Sequence, residues 1–192
     1  MRGLNHMHTI ARRSIWATVA LGAVLLTASS LDAQRPAPVV RLPAHINPIQ
    51  LDTLVIAWER TAAPRGEVFA AVRSAYESLR IKPDYVDSLA GHFGVLKLRA
   101  STKLGGERLS TYFNCGRGMA GDNADQWRLS IALVTFLRPS GVSNTEFGTG
   151  LAAQSQDMSG VSKDQVTCGS TGQLETRLIK LVNQKLPPKP TN

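Results

Sequence analysis

Apolar residues recur along this chain with two periods, three-to-four and two. Val68, Phe69, Val72, Ala75, Tyr76 and Leu79 follow one another at helical steps, with Arg65, Glu67, Arg73, Glu77 and Arg80 on most of the positions between. One apolar stripe on a charged segment is the mark of an amphipathic helix lying on a core. Pro64 suits a first turn and Pro83 cannot continue one, so the spacing predicts a helix over 64–80. Leu174, Leu178, Leu181 and Val182, with Leu186 nearby, make a second stripe and predict a helix over 171–186. Ser170 and Gln173 have the spacing of a capping box, and Lys180 and Lys185 sit late, where they complement the helix dipole.

Between the helices the period falls to two. Ile49 to Trp58 alternates and then turns almost wholly apolar, as a sheet strand does. His92 to Arg99 reads as a strand ending at the turn-like Lys103–Gly106. Glu107 to Cys115 sets Leu109, Thr111 and Phe113 against Ser110, Tyr112 and Asn114. The strongest strand is Trp127 to Arg138: Trp127, Leu129, Ile131, Leu133, Thr135 and Leu137 face one way, and Ala132, Val134 and Phe136 the other. A strand apolar on both faces belongs in the middle of a sheet. Val142 to Ala153 reads as its hairpin partner across Pro139-Ser140-Gly141, and a short strand is expected near Gln165–Cys168. The predicted fold is therefore α+β, in the order β-α-β-β-β-β-α with room for one more strand. Consecutive strands favour an antiparallel sheet of about four to six strands, with two helices on one face. The opposite face would then be exposed and available for binding.

The first 33 residues read as a secretory signal peptide. Arg2, Arg12 and Arg13 precede an uncharged run from Ile15 to Ser30, and Ala33 offers a small residue at the cut. Its apolar core is shorter than the roughly 20 residues of a membrane span. No cysteine follows for a lipid anchor, and cleavage before Gln34 is expected, retention of the segment as an anchor being the alternative. Residues 34–48 hold Pro36, Pro38, Pro43 and Pro48 and read as an extended linker with little to pack. A single domain is expected over 49–186 and a disordered tail over 187–192, with Pro187, Pro188 and Pro190.

Composition narrows the partners. From Gln34 onward, 19 basic and 13 acidic residues remain, a net charge of +6 scattered without a block. Scattered charge is a solvated surface. No basic cluster is interleaved with aromatics as a nucleic-acid groove requires, so no nucleic acid is expected. The expected location is periplasmic or secreted, with no stable membrane span once the leader is removed.

Candidate chemistry is sparse. Cys115 and Cys168 are the two cysteines of the chain, and in an oxidising compartment an isolated pair reads most simply as a disulfide with Cα atoms roughly 4.4–6.8 Å apart. Two buried thiols, or a nucleophilic Cys115 beside His92, are the alternatives. Gly116-Arg-Gly-Met-Ala-Gly121 matches G-x-G-x-x-G, but no helix opens at the last glycine, so a strand connection is expected rather than a nucleotide site. Asp122, Asn123 and Asp125 lack the alternation of a calcium loop, and His45 and His92 lack zinc-like spacing. No metal and no cofactor are expected. Glu67, Glu77, Asp84, Asp87, Glu107 and Glu146 are scattered acids, any two of which would have to meet across a cleft to act as a glycosidase pair. Arg99, Arg108 and Arg128 lie on neighbouring strands and either converge on an anion or face solvent.

Two resemblances follow from these residues. Ser110-Thr-Tyr-Phe-Asn-Cys-Gly116, the central apolar strand, and Val166-Thr-Cys-Gly-Ser-Thr-Gly172 with Leu174-Glu175 resemble a group of uncharacterised exported bacterial proteins. That resemblance covers most of 49–186 and implies a helix-grip-like α+β domain and a Cys115–Cys168 bridge, with no activity attached. The element order is also similar to the helix-grip domains of the lipoprotein subunit of the outer-membrane β-barrel assembly machine, at the level of topology alone. The function expected is a non-enzymatic exported domain that binds an envelope protein. The second expectation is a small-ligand module with a pocket between the last helix and the sheet, and the third a hydrolase.

Overall fold

The structure, a computed structural model, describes residues 35–141, 143–159 and 165–187. The chain divides into two units, Met1–Ala33 and Gln34–Asn192, and all described residues belong to the second. The expected signal peptide and most of the expected tail lie outside the described residues.

The fold is mixed α+β around a seven-stranded antiparallel sheet, one strand more than the pattern suggests. Its strands are β1 (Trp58–Thr61), β2 (Tyr85–Asp87), β3 (His92–Ala100), β4 (Phe113–Asn114), β5 (Arg128–Pro139), β6 (Thr145–Gln156) and β7 (Gln165–Ser170). They lie in the order β2-β3-β5-β6-β7-β4, with β1 on the first half of β6. The long helices are α1 (Arg65–Ser78) and α2 (Gln173–Lys185).

The centre is the β5–β6 hairpin, paired without a break from Arg128↔Gln156 to Pro139↔Thr145. Leu129, Ile131, Leu133 and Leu137 on one face of β5 share a core with Val68, Val72, Ala75 and Tyr76 of α1 and with Leu174, Leu178 and Val182 of α2. Three hydroxyls run through this core: the Tyr76 hydroxyl meets Thr135 Oγ1 at 3.2 Å, and Thr135 meets Thr149 at 2.9 Å. Burial raises the Tyr76 pKa, so the phenol stays neutral. Helix α1 ends by turning left-handed at Arg80 (φ 56°), which lets the Ile81 N–H reach back to the Tyr76 carbonyl.

The other face is not left open. Ala132, Val134, Phe136 and Ala152 form a second core with Val40, Leu42 and Leu51. Val39–Val40 pairs with Ile49–Gln50 as a small ribbon, and a 3-10 turn, Leu51–Leu54, follows. The segment is seated by glycine: a Cβ on Gly150 would stand 1.9 Å from the Leu51 carbonyl oxygen. Gln154 on β6 accepts the Ala44 N–H at 2.8 Å, and Thr167 on β7 donates to the Ala44 carbonyl at 3.3 Å. The proline-rich stretch therefore packs, contrary to expectation, and Ile49–Trp58 is a ribbon strand, a turn and the start of β1 rather than one strand.

Glu107–Cys115, expected as one strand, is not continuous. Only Glu107–Arg108 and β4 are extended, and Leu109–Tyr112 is a single helical turn. Asp125 imposes it by accepting the Ser110 N–H at 3.0 Å and the Ser110 hydroxyl at 2.7 Å. At α2 the predicted capping box does not form. Gly172 (φ 79°) is the cap, while Ser170 donates to Glu175 at 2.6 Å and accepts the Gly172 N–H at 3.0 Å.

Candidate functional site

Cys115 and Cys168 are bonded, with Cα atoms 4.2 Å apart. The spacing falls just under the expected window because the cysteines stand opposite each other one step beyond the β4–β7 pairs Asn114↔Gly169 and Phe113↔Ser170, and opposed antiparallel residues approach about 4.5 Å at non-hydrogen-bonded positions. The bridge joins two segments that carry more than sheet. One is the turn Leu109–Tyr112 and the other is the lead into α2. Thr171 adds two bonds between them, its N–H to the Tyr112 carbonyl at 3.0 Å and its hydroxyl to the Thr111 carbonyl at 2.7 Å.

These two segments are the walls of an open groove of about 520 Å³. Glu107, Thr111 and Tyr112 form one wall. The other is the solvent side of α2, with Gln173, Arg177, Lys180 and Gln184 in a row and Leu181 beside them. Arg177 is held from the facing side: its guanidinium donates to the Tyr112 hydroxyl and, at 2.9 Å, to the Gly105 carbonyl. Both acceptors are neutral. Among the described residues neither Arg177 nor Lys180 has a carboxylate within ion-pair reach. Among the described residues the groove thus presents Arg177, held by neutral groups, and Lys180, with no ion pair, flanked by hydroxyls and amides. The opposite, sheet-facing side of α2 is filled by Leu174, Leu178 and Val182, all buried.

The other residues singled out from the sequence are dispersed. Gly116–Gly121 is a tight ribbon, Arg117–Gly118 against Gly121–Asp122, with Met119 fully exposed at its tip. Asp122 pairs with Arg117, and Asn123 donates to the Cys115 carbonyl. Asp125 pairs with Arg108 at 2.9 Å. Burial pushes the Asp125 carboxyl up, but the Ser110 and Arg108 contacts outweigh it and hold the pKa below the ordinary value. Among the described residues no group of three His, Cys, Asp or Glu is placed to hold a metal.

His92 is buried, its ring edge-on to Phe136 and its Nδ1 3.3 Å from the Tyr85 hydroxyl. The alternative of a nucleophilic Cys115 beside it is removed, because Cys115 is bonded to Cys168 as expected. His45 lies in the loop between the two ribbon strands with its Nε2 buried. The acids do not pair. Asp84 accepts the Leu96 and Lys97 N–H groups on the bulged edge of β3, and Asp87 accepts the Ala90 N–H and Arg35. Glu146 binds Arg60 and Arg138, which hold its pKa low, while Arg138 also lies over the Trp58 ring at 3.9 Å. Glu67 and Glu77 are exposed on α1, and Glu107 is in the groove. Arg99 and Arg128 stand exposed on neighbouring strands, with Arg108 drawn away to Asp125.

Sequence reasoning did not single out Arg177 or Tyr112. Arg177 reads as one more solvent-face helix residue, and Tyr112 as a strand position. The available signal was the period of Leu109, Tyr112 and Phe113, which is helical and turns Thr111 outward to the groove.

Fold and site together define an antiparallel α+β domain with an open polar groove between its last helix and a disulfide-tethered turn. Among the described residues no helix is long and apolar enough to cross a membrane. The chain matches no protein-family model and no curated protein.

Proposed function

We propose that this chain is an exported, non-enzymatic binding domain that contacts a protein of the cell envelope, and that the groove beside α2 is its contact surface. The observation that carries this reading is a groove open to solvent whose two walls are locked together by the Cys115–Cys168 bridge and the Thr171 bonds. A preformed surface loses little freedom on binding. Export, to the periplasm or beyond the cell, is supported by the leader-like first 33 residues and by a disulfide, which persists in oxidising compartments. The resemblance to exported bacterial proteins points the same way. A small ligand enclosed between α2 and the sheet has less support, because Leu174, Leu178 and Val182 fill that space.

The test is site-specific photo-crosslinking in cells producing the full chain. A benzophenone side chain at Gln184, in the groove, is expected to capture one envelope protein reproducibly, and the same group at Glu77 on α1 is not. Equal capture from both positions, or none from Gln184, overturns the groove as the contact surface. N-terminal sequencing checks export: a start near Gln34 is expected, and intact Met1 in a membrane fraction refutes cleavage.

A further inference from the structure

We infer that the groove recognises an acidic, extended segment of its partner, with carboxylates two residues apart meeting Arg177 and Lys180; this rests on the partner-binding reading above. The row from Gln173 to Gln184 spans eleven helical steps, about 16 Å at 1.5 Å per residue. An extended chain covers that distance in about five residues. A groove open along its side admits such a segment without threading.

Charge then selects the segment. Arg177 and Lys180 are one helical turn apart, so their stems rise from the same face about 5–6 Å from each other. Side chains at alternate positions of an extended chain point to one side and are spaced by about 6–7 Å. A Glu-x-Glu or Asp-x-Asp segment therefore matches the two cations. Arg177 has five N–H donors. Its bonds to Tyr112 and Gly105 hold the guanidinium plane in place and leave further donors for an incoming carboxylate. Neither bond neutralises the charge, and a pre-positioned fork gives up less entropy on binding than a free side chain. Glu107, the one acid of the lining, disfavours a carboxylate on the opposite wall and so confines the ligand's charge to the α2 side.

Five other arginines on strands or in turns make weaker sites. Arg60 and Arg138 share the Glu146 carboxylate, Arg108 is paired with Asp125, and Arg99 and Arg128 stand on an open surface.

The experiment uses the full chain and two fluorescein-labelled hexapeptides, Gly-Glu-Gly-Glu-Gly-Glu and its glutamine counterpart, followed by anisotropy at low salt. The glutamate peptide is expected to bind roughly tenfold tighter, the worth of one good charge-assisted contact. The preference should fall as salt rises. Lys180→Gln, at an exposed position that leaves the fold untouched, should remove most of it. Arg177→Lys should restore less than the native residue because the fork is lost. Equal binding of both peptides, or a glutamate preference that survives Lys180→Gln and Arg177→Lys together, overturns the proposal. If Gln184 still crosslinks a partner after that result, only the acidic preference has failed; if crosslinking is also absent, the groove reading has failed with it.

Discussion

Removing the bridge should cost this domain a large part of its stability. Cys115 and Cys168 are separated by 53 residues, and closing a loop of that length removes about 4 kcal/mol of freedom from the unfolded chain. A domain of this size is held by about 5–15 kcal/mol in total, so the double variant Cys115→Ala/Cys168→Ala should remain folded in water but unfold at a much lower urea concentration. Both cysteines are buried, so native-state packing is lost as well, and two alanines remove sulfur without adding a polar group. Urea titration followed by circular dichroism measures the difference. The slope with urea should rise, because the unbridged unfolded chain exposes more surface. Wild type unfolded in the presence of reductant should approach the variant's curve. A difference below about 1 kcal/mol, with unchanged slope, would show that the bridge does not restrict the unfolded chain and would refute the reasoning.

Leu178 is 2 % exposed between α2 and the sheet, so Leu178→Ala should cost roughly 2–5 kcal/mol; a loss under about half a kcal/mol would place the stripe in solvent. Gly150→Ala forces apart β6 and the Leu51 carbonyl, 1.9 Å from the added carbon, and should cost about 1–3 kcal/mol. Proteolytic nicking within 41–50 should speed up in that variant, and unchanged cleavage would mean that the segment is not seated on β6. His92 is held below its ordinary pKa of 6.5, first by burial and then by Arg65, against the opposing pull of Asp87 and Asp52. The unfolded chain therefore takes up a proton before the native one does. The His92 contribution should be complete above pH 6.5 and fade as pH falls toward the folded-state pKa. The dependence on pH between 5 and 7.5 should be shallower in His92→Phe, and an identical slope in both proteins would refute the assignment.

The helical stripes and the β5–β6 hairpin were legible because their period and their burial agree: Leu129, Ile131, Leu133 and Leu137 on one face of β5 enter the core, and Thr135 between them is buried. Legibility failed where a distant side chain decided between two periods. Leu109 and Phe113 share a face in a strand and are also four apart, so both readings of 107–115 bury them. Asp125, which sets the turn, becomes a neighbour only through the fold. The groove was illegible for the same reason, since the Tyr112 hydroxyl that holds Arg177 lies 65 positions away.

The covered second face follows from a rule that the sequence already contained. Ala132, Val134 and Phe136 give the central strand a second apolar side, and a strand apolar on both sides needs two covers. Each long helix has a single stripe, and both stripes go to the first side. Pro38, Val40 and Leu42 sit at alternate positions, as strand residues do, and Leu51 follows shortly after. Proline content argued for a linker, yet prolines are tolerated in an edge ribbon whose outward groups need no partner. With the middle of that side covered by Val40, Leu42 and Leu51, bare sheet remains only toward the end that carries Arg99 and Arg128. The proposed contact surface is instead the solvent side of α2, where the helix stripe is polar and, among the described residues, Arg177 and Lys180 have no carboxylate within ion-pair reach.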